Sequence, residues 1–268
     1  MTFDQEYFNL GRLDALSYRH TLIHNLDART KVIATFAFIV TVVSFPKYEI
    51  SALLPFFLFP VLVFSLGDIP VWLIIKKVLF LSPFAFFIGI FNPLLDHHIM
   101  CTLFGIPVSG GFVSFFSIML RFFLTIGAAL LLISTTSFPG ICHALQKLSV
   151  PALFISQLLF LYRYIFVLME EAMRMVRARD MRSFGARGLG MQVFAGIIGT
   201  LFLRTMERAE RIYQAMLSRG FAGTIHYGRP SRFGISDCLV VTLTGVLLYF
   251  FRCYDIVGTM GIQAERLF

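Results

Sequence analysis

From Val71 to Phe91, and again from Phe112 to Ile133, the sequence runs about twenty residues with little charge. Lys76 and Lys77 near the start of the first run and Arg121 inside the second are the exceptions. A helix rises 1.5 Å per residue, so about 20 apolar residues span the ~30 Å hydrocarbon core of a bilayer. Val32–Phe45, Ile50–Leu66 and Ile235–Phe251 are further apolar segments, the first two extended by flanking residues. Only 14% of the residues are charged, 57% are hydrophobic and the mean hydropathy is +0.80, against about 25% charged in a soluble domain. The expected fold is an all-α polytopic membrane protein with about five transmembrane helices.

The breaks between these segments are legible. Pro46, Lys47 and Glu49 form a short turn, Gly67-Asp68-Ile69-Pro70 stops the second segment, and Pro83 is expected to kink the third. Residues 92–111, with Pro93, Asp96-His97-His98 and Ser109-Gly110-Gly111, read as a loop whose adjacent histidines are polar surface. His20 and His24 are four apart, a spacing for two ligands on one helix face, but no third ligand stands near. Cys101, Cys142, Cys238 and Cys253 lack metal or redox spacing and read as small apolar residues. Residues 1–31 are polar without an early apolar core, so no cleavable signal is expected there.

Charge then sets the topology. The net charge of +8 would suggest nucleic acid in a soluble chain, but here the basic residues are confined to particular segments, so no nucleic-acid partner is expected. With residues 1–31 cytoplasmic and spans at 32–45, 50–66, 71–91, 112–133 and 235–251, the cytoplasm takes most of the 23 basic residues. They are four in 1–31, Lys76 and Lys77, and thirteen in 138–235. Residues 152–169 are apolar enough to cross. A crossing there alone would expel the arginine-rich segment that follows, against the positive-inside bias. The expected domains are therefore 1–134, an N-terminal segment with four spans; 135–234, a cytoplasmic helical unit; and 235–268, the last span and tail.

Within 135–234, Ile141–Leu148 reads as a short amphipathic piece ended by Pro151, and two longer amphipathic helices follow. Ile165, Met169, Ala172 and Val176 share one face of the first, with Arg163, Glu170, Arg174 and Arg177 on another. Phe202, Met206, Ala209, Tyr213 and Met216 share a face of the second, beside Arg204, Glu207, Arg208 and Arg211. Glu170 with Arg174 and Glu207 with Arg211 are spaced i, i+4, worth roughly 0.2–0.5 kcal/mol each. The helices end near Ala178-Arg179-Asp180 and at Ser218-Arg219-Gly220, with Gly220 suited to a left-handed C-terminal position. Such stripes serve packing within the chain, a membrane surface or a partner. Arginine near a helix C-terminus suits the macrodipole, and a guanidinium held at a tip also suits bidentate pairing with a carboxylate of another protein.

The chemistry of an enzyme or pump is not visible. The sequence has no G-x-x-x-x-G-K-[ST], H-E-x-x-H or G-x-S-x-G. Ala186-Arg187-Gly188-Leu189-Gly190 follows no strand, as a dinucleotide site requires. Arg121 is the one charged residue deep in an expected span, with a partner that sequence cannot name.

Three features together resemble the T component, the transmembrane coupling subunit, of energy-coupling factor transporters. They are Leu26-Asp27-Ala28-Arg29-Thr30-Lys31 ahead of the first span, Thr135-Thr136-Ser137-Phe138-Pro139-Gly140, and the two small-residue–Arg helix tips. Tyr162-Arg163-Tyr164-Ile165-Phe166, Glu170-Glu171-Ala172, Ala178-Arg179 and Arg182 are most similar to the cobalt/nickel branch of CbiQ-like proteins. The tips depart from the family's Ala-Arg-Gly, reading Ala-Arg-Asp and Ser-Arg-Gly, while a literal Ala186-Arg187-Gly188 lies eight residues downstream of the first. The resemblance implies a non-catalytic scaffold in the cell (inner or cytoplasmic) membrane. It would join two cytoplasmic ATP-binding subunits to a substrate-binding membrane subunit, with room for a small accessory membrane subunit. Residues 135–234 would supply two to three coupling helices seated in grooves on the ATPases. Ala178, Arg179, Asp180, Arg182, Met216, Ser218, Arg219 and Gly220 would make the contacts, with Arg179 and Arg219 on acidic groups. The resemblance implies no cofactor and no metal ligand in this chain. A vitamin transporter's T component is the alternative within the family. Outside it stand a lipid-modifying membrane enzyme and a self-contained carrier, which needs an inverted repeat that the sequence does not show.

Overall fold

Asp27 opens the first helix described, α1 (Ala28–Val43): its carboxylate accepts the Arg29 backbone N–H at 3.0 Å, an N-cap that satisfies one of the donors a helix start leaves unpaired. A computed structural model describes residues 16–19, 21–95, 99–103, 106–182, 190–223 and 234–253. After α1 come a 3-10 segment (Ser51–Phe57), α2 (Leu58–Gly67), α3 (Val71–Gly89), the short α4 (Phe91–Leu95), a hairpin of β1 (Ile99–Leu103) and β2 (Ile106–Ser109), and α5 (Gly110–Thr135). Then follow α6 (Phe138–Lys147), α7 (Ala152–Arg182), α8 (Met191–Leu217) and α9 (Ile235–Cys253). The described residues fall into two compact units, one of residues up to 141 with 234–253, the other of 142–223.

The fold is that of an all-α polytopic membrane protein. Residues 71–93, 110–135, 152–182 and 235–253 form helices long and apolar enough to cross a bilayer, and residues 51–67 form a shorter apolar helical run. The expected loop over 92–111 is a correction: it holds α4 and an antiparallel β1–β2 pair, with Leu103 opposite Ile106 and Thr102 opposite Pro107. Paired side by side, the two short runs satisfy their backbone groups against each other, which is the reason these residues leave the loop state. His20 and Asp96-His97-His98 lie outside the described residues.

In the first unit the core is built on phenylalanine. Phe38 of α1 stacks on Phe59 of α2 at 4.4 Å between centroids, and Phe56 meets Phe45 edge-on at 5.3 Å and Phe251 at 5.8 Å. Leu53, Leu124 and Ala128 close the cluster. Such ring pairs add about 0.5–1.5 kcal/mol beyond burial. Outward, Trp72, Phe80, Phe84 and Phe87 of α3 are exposed, as side chains facing hydrocarbon would be.

Every backbone group in such a setting needs a partner. Pro83 sits within α3, which continues through it. Proline has no N–H, so the carbonyl four residues back loses its helical donor; the Ser82 hydroxyl donates to that Leu79 carbonyl at 2.8 Å. At the end of α2, Asp68 rather than Gly67 takes the left-handed conformation (φ 48), and its carbonyl accepts from Arg19 at 2.8 Å. Arg121 donates to the Pro46 carbonyl, while Arg252 lies 4.4 Å over the Phe45 ring and reaches the Ser44 carbonyl at 3.5 Å. Two arginines thus hold the turn after α1, and Arg121 has the partner that the sequence withheld.

The opposite end of α1 is tied to α9. Asp237 Oδ1 accepts the Asp27 N–H at 2.8 Å and the Thr30 hydroxyl at 3.3 Å, and Oδ2 accepts the Gly234 N–H at 2.9 Å. Beside it, Lys31 Nζ donates to the carbonyls of His24 (3.2 Å) and Thr135 (3.0 Å). His24 has both ring nitrogens engaged, by the Thr21 hydroxyl at 2.7 Å and the Leu16 carbonyl at 3.1 Å. Burial first, then the Lys31 charge, lower its pKa below the usual imidazole value, which favours the neutral ring that donates through one nitrogen and accepts through the other.

Replacing Asp237 by Ala strands two backbone N–H groups and a hydroxyl. Unpaired buried groups cost about 1–3 kcal/mol, so Asp237→Ala should lower the thermal unfolding midpoint in detergent. Asp237→Asn, which keeps one acceptor oxygen, should fall between it and the wild type. Equal midpoints for all three would show that this carboxylate does not hold α1 to α9.

Candidate partner-coupling site

In the second unit, Ser149 (φ 72) and Pro151 end α6 and set up α7, a 31-residue helix. The apolar stretch from Ala152 and the arginine-bearing stretch are one continuous helix, so the sequence's two pieces have no break between them. Likewise the apolar 191–203 is the first half of α8. The two helices run antiparallel. Phe221, just past α8, meets Phe160 near the start of α7 at 6.2 Å, and the Ser156 hydroxyl donates to the Gly223 carbonyl at 3.4 Å. Midway, Arg204 Nη1 pairs with Glu171 Oε1 at 2.8 Å. Arg179 and Arg182 of α7 and Val193, Gly196 and Ile197 of α8 line one groove at the other end.

The local pairs read from spacing are formed: Arg174 with Glu170 at 3.3 Å and Arg211 with Glu207 at 3.8 Å. Glu171 was missed as a link. It bridges Arg174 of its own helix (4.0 Å) and Arg204 of the next, and its carboxylate is far less exposed than that of Glu170, at 16% against 60%. A position between the apolar and charged faces was its only sequence signal.

Two face assignments need correction. On α8 the half-buried positions are Ile197, Leu201, Thr205, Arg208, Ile212 and Met216. The expected stripe is turned outward instead, with Phe202 60%, Met206 52% and Tyr213 52% exposed and Ala209 exposed too. On α7 Met169, Ala172 and Val176 are half-buried, but Ile165 is exposed and Met173, on a neighbouring position, is buried. A helix apolar on more than one side has no single stripe that periodicity can choose; the neighbouring helix chooses it.

The tips differ in build. Ala178, Arg179, Asp180 and Arg182 lie within the final five residues of α7, not beyond it. Arg179 Nη1 donates to Asp180 Oδ1 at 3.0 Å, and the arginine side chain is only 21% exposed. It is therefore drawn into the groove with Arg174, Arg182 and Arg204 and held by a neighbouring carboxylate, instead of standing out as expected. At the second tip, Gly220 N–H donates to the Leu217 carbonyl (3.0 Å) and Phe221 N–H to the Met216 carbonyl (3.0 Å), the bond pair of a Schellman closure. Gly220 has φ +78, and a Cβ there would meet nothing within 4 Å. The backbone conformation, not space, demands glycine. Ser218 Oγ caps the Ala215 carbonyl at 3.0 Å, and Arg219 is exposed at the end of the helix. The literal Ala186-Arg187-Gly188 lies outside the described residues.

Measured along α7, Arg179 is some nineteen residues from Phe160, which marks the Arg219 end; at 1.5 Å per residue the tips stand roughly 30 Å apart. A pair of exposed-to-half-buried arginines at opposite ends of an antiparallel helix pair, on a membrane chain, is the geometry to be explained. Sequence comparison decides the family: the CbiQ profile, described as "Cobalt transport protein", matches residues 19–228. The chain belongs to the CbiQ family. This bears out the T-component resemblance read from its motifs. An uncharacterized protein of Methanocaldococcus jannaschii is 29% identical over 86% of this chain and 83% of its own length. The energy-coupling factor transporter transmembrane protein EcfT of Bacillus subtilis is 28% identical over 87% of this chain and 94% of its own. The cobalt transport protein CbiQ of Salmonella typhimurium is 29% identical over 38% of this chain and 45% of its own. The family match covers α7 and α8, and with them both arginine tips.

The Gly220 conformation makes a direct prediction for this family member. An L side chain in the left-handed region costs roughly 1 kcal/mol or more, so Gly220→Ala should loosen the tip without unfolding α8. Amide hydrogen exchange should quicken from Met216 to Gly223 and stay unchanged across α9.

Proposed function

We propose that this chain is the scaffold of an ATP-driven, energy-coupling factor uptake transporter, located in the cell membrane with residues 135–234 on the cytoplasmic side. In this reading α7 and α8 are coupling helices. Two cytoplasmic ATPase subunits dock at the Arg179 and Arg219 ends, and the scaffold passes their motion to a separate substrate-binding membrane subunit. The observation that carries the reading is the antiparallel α7–α8 pair with one arginine near each far end, on a member of the CbiQ family. Two tips about 30 Å apart suit two partner molecules better than one. Ala178, Asp180, Arg182, Ser218 and Met216 frame the two contacts, Ser218 and Gly220 by fixing the helix end and Met216 by packing beneath it. Around the groove, Arg174, Arg179, Arg182 and Arg204 meet the carboxylates of Glu170, Glu171 and Asp180, an excess of positive charge that suits an acidic partner.

The family description, cobalt transport protein, supports cobalt as the cargo, with nickel the chemically neighbouring ion. A vitamin transporter's T component remains the second reading: the relative named EcfT aligns over nearly its whole length, whereas the named CbiQ of S. typhimurium aligns over less than half. A lipid-modifying enzyme would need carboxylates unclaimed for metal and phosphate, yet Glu170, Glu171 and Glu207 are each engaged by arginine.

A detergent pull-down of the tagged chain from its own membranes tests the scaffold role. Nucleotide-binding subunits should be recovered with the wild type. Arg179→Ala and Arg219→Ala should each weaken retention, and the double variant should lose it. Truncating one partner of a buried charged contact costs about 2–5 kcal/mol, a loss visible as missing bands. Undiminished ATPase recovery with the double variant would overturn the assignment of these arginines. The co-purifying membrane subunit, loaded with metal or with a vitamin, decides the cargo.

A further inference from the structure

The two arginine-bearing ends differ in the charge beside each arginine. Arg219 stands between Ser218 and Gly220, is exposed, and makes no ion pair among the described residues. At the α7 end, Arg179 Nη1 lies 3.0 Å from Asp180 Oδ1, and the arginine side chain is 21% exposed while that of the aspartate is 59% exposed. One guanidinium is thus free, and the other is drawn in with a carboxylate already on it.

Asp180 is out of place on local grounds. It lies two residues before the end of α7, at the negative end of the helix macrodipole, where a carboxylate is disfavoured and Arg179 and Arg182 are favoured. A residue that breaks a local rule points to a use outside its helix. The surroundings of Arg179 show what the carboxylate does. Arg174, Arg182 and Arg204 line the same groove, and Glu170 and Glu171 are engaged by Arg174 and Arg204. Like charges there push a further guanidinium outward, and the pair with Asp180 opposes that push.

We propose that Asp180 makes the two docking ends unequal. It occupies Arg179 in the free chain, so the Arg219 end takes a nucleotide-binding subunit directly. The Arg179 end takes one only by exchanging Asp180 for a carboxylate of that subunit. Asp180 acts through Arg179 and is a positioning residue. The inference rests on the scaffold reading and deepens it, since the two ends then fill in order, Arg219 first. The exchange runs forward because an ion pair open to water contributes little, whereas the same guanidinium enclosed at an interface makes stronger, charge-assisted hydrogen bonds.

Two measurements on the purified full-length chain test this. In the first, phenylglyoxal modifies the arginines and peptide mass spectrometry reads the rates. Arg219 should react faster than Arg179 in the wild type. Asp180→Asn, similar in size and uncharged, should speed Arg179 about threefold, the scale of an exposed ion pair, and leave Arg219 unchanged. The second titrates the immobilised chain with the nucleotide-binding subunits that co-purify with the wild type. In the Arg219→Ala background, where docking depends on the Arg179 end, Asp180→Asn should tighten the apparent Kd about threefold. In the Arg179→Ala background the tightening should vanish. Equal labelling of the two arginines in the wild type, or no tightening by Asp180→Asn in the Arg219→Ala background, would overturn this inference and leave the scaffold reading standing. Binding that neither arginine substitution weakens, or a wild type that brings no nucleotide-binding subunit with it, would overturn both.

Discussion

The carboxylate of Asp237 joins two parts of the chain 210 residues apart, taking the Asp27 N–H and the Thr30 hydroxyl on one oxygen and capping its own helix with the other. Much of the first unit hangs on this junction. It fixes where α1 begins relative to α9, and Lys31, one turn into α1, then falls onto the Thr135 carbonyl at the end of α5. Three helices from the two ends and the middle of the chain thus meet at one polar knot. In a low-dielectric setting each bond of such a knot is strengthened, so Leu26–Lys31 and the start of the last helix are best read as one feature.

The same demand for satisfied polar groups shapes the rest of that unit. Ser82 serves the carbonyl that Pro83 abandons, Asp68 bends the chain at the end of α2, and Arg121 and Arg252 hold the turn after α1. These are different side chains meeting one constraint: hydrocarbon offers no water to an unpaired backbone group. The aromatic cluster around Phe56 adds packing between the knots.

The α7–α8 pair is built on a different principle. Its cross-helix link, Arg204 to Glu171, has an exposed arginine, and exposed ion pairs contribute about 0–1 kcal/mol. No residue of α8 is buried among those described. The pair is anchored by Phe221 on Phe160 and little else at that end. Light internal packing suits the coupling role proposed for these helices, because few contacts have to be exchanged when they shift. The stripe of Phe202, Met206 and Tyr213 faces outward and is exposed.

By itself the sequence determined the class, most of the chain breaks and the glycine that closes the second tip. Apolar length, Gly67–Pro70, the i, i+4 pairs and Gly220 are local signals, since each depends on residues within a turn or a span of one another. Residues 92–111 were misread as loop because short strands declare themselves only when paired. The tertiary structure decided what local signals cannot carry: which side of α8 faces α7, that Arg179 folds back on Asp180 while Arg219 stands at the helix end, and which carbonyl receives Arg121. It also brought Asp27, Lys31, Thr135 and Asp237 together. Each of these is a choice among equally periodic or equally charged alternatives, and only the position of a distant partner settles it.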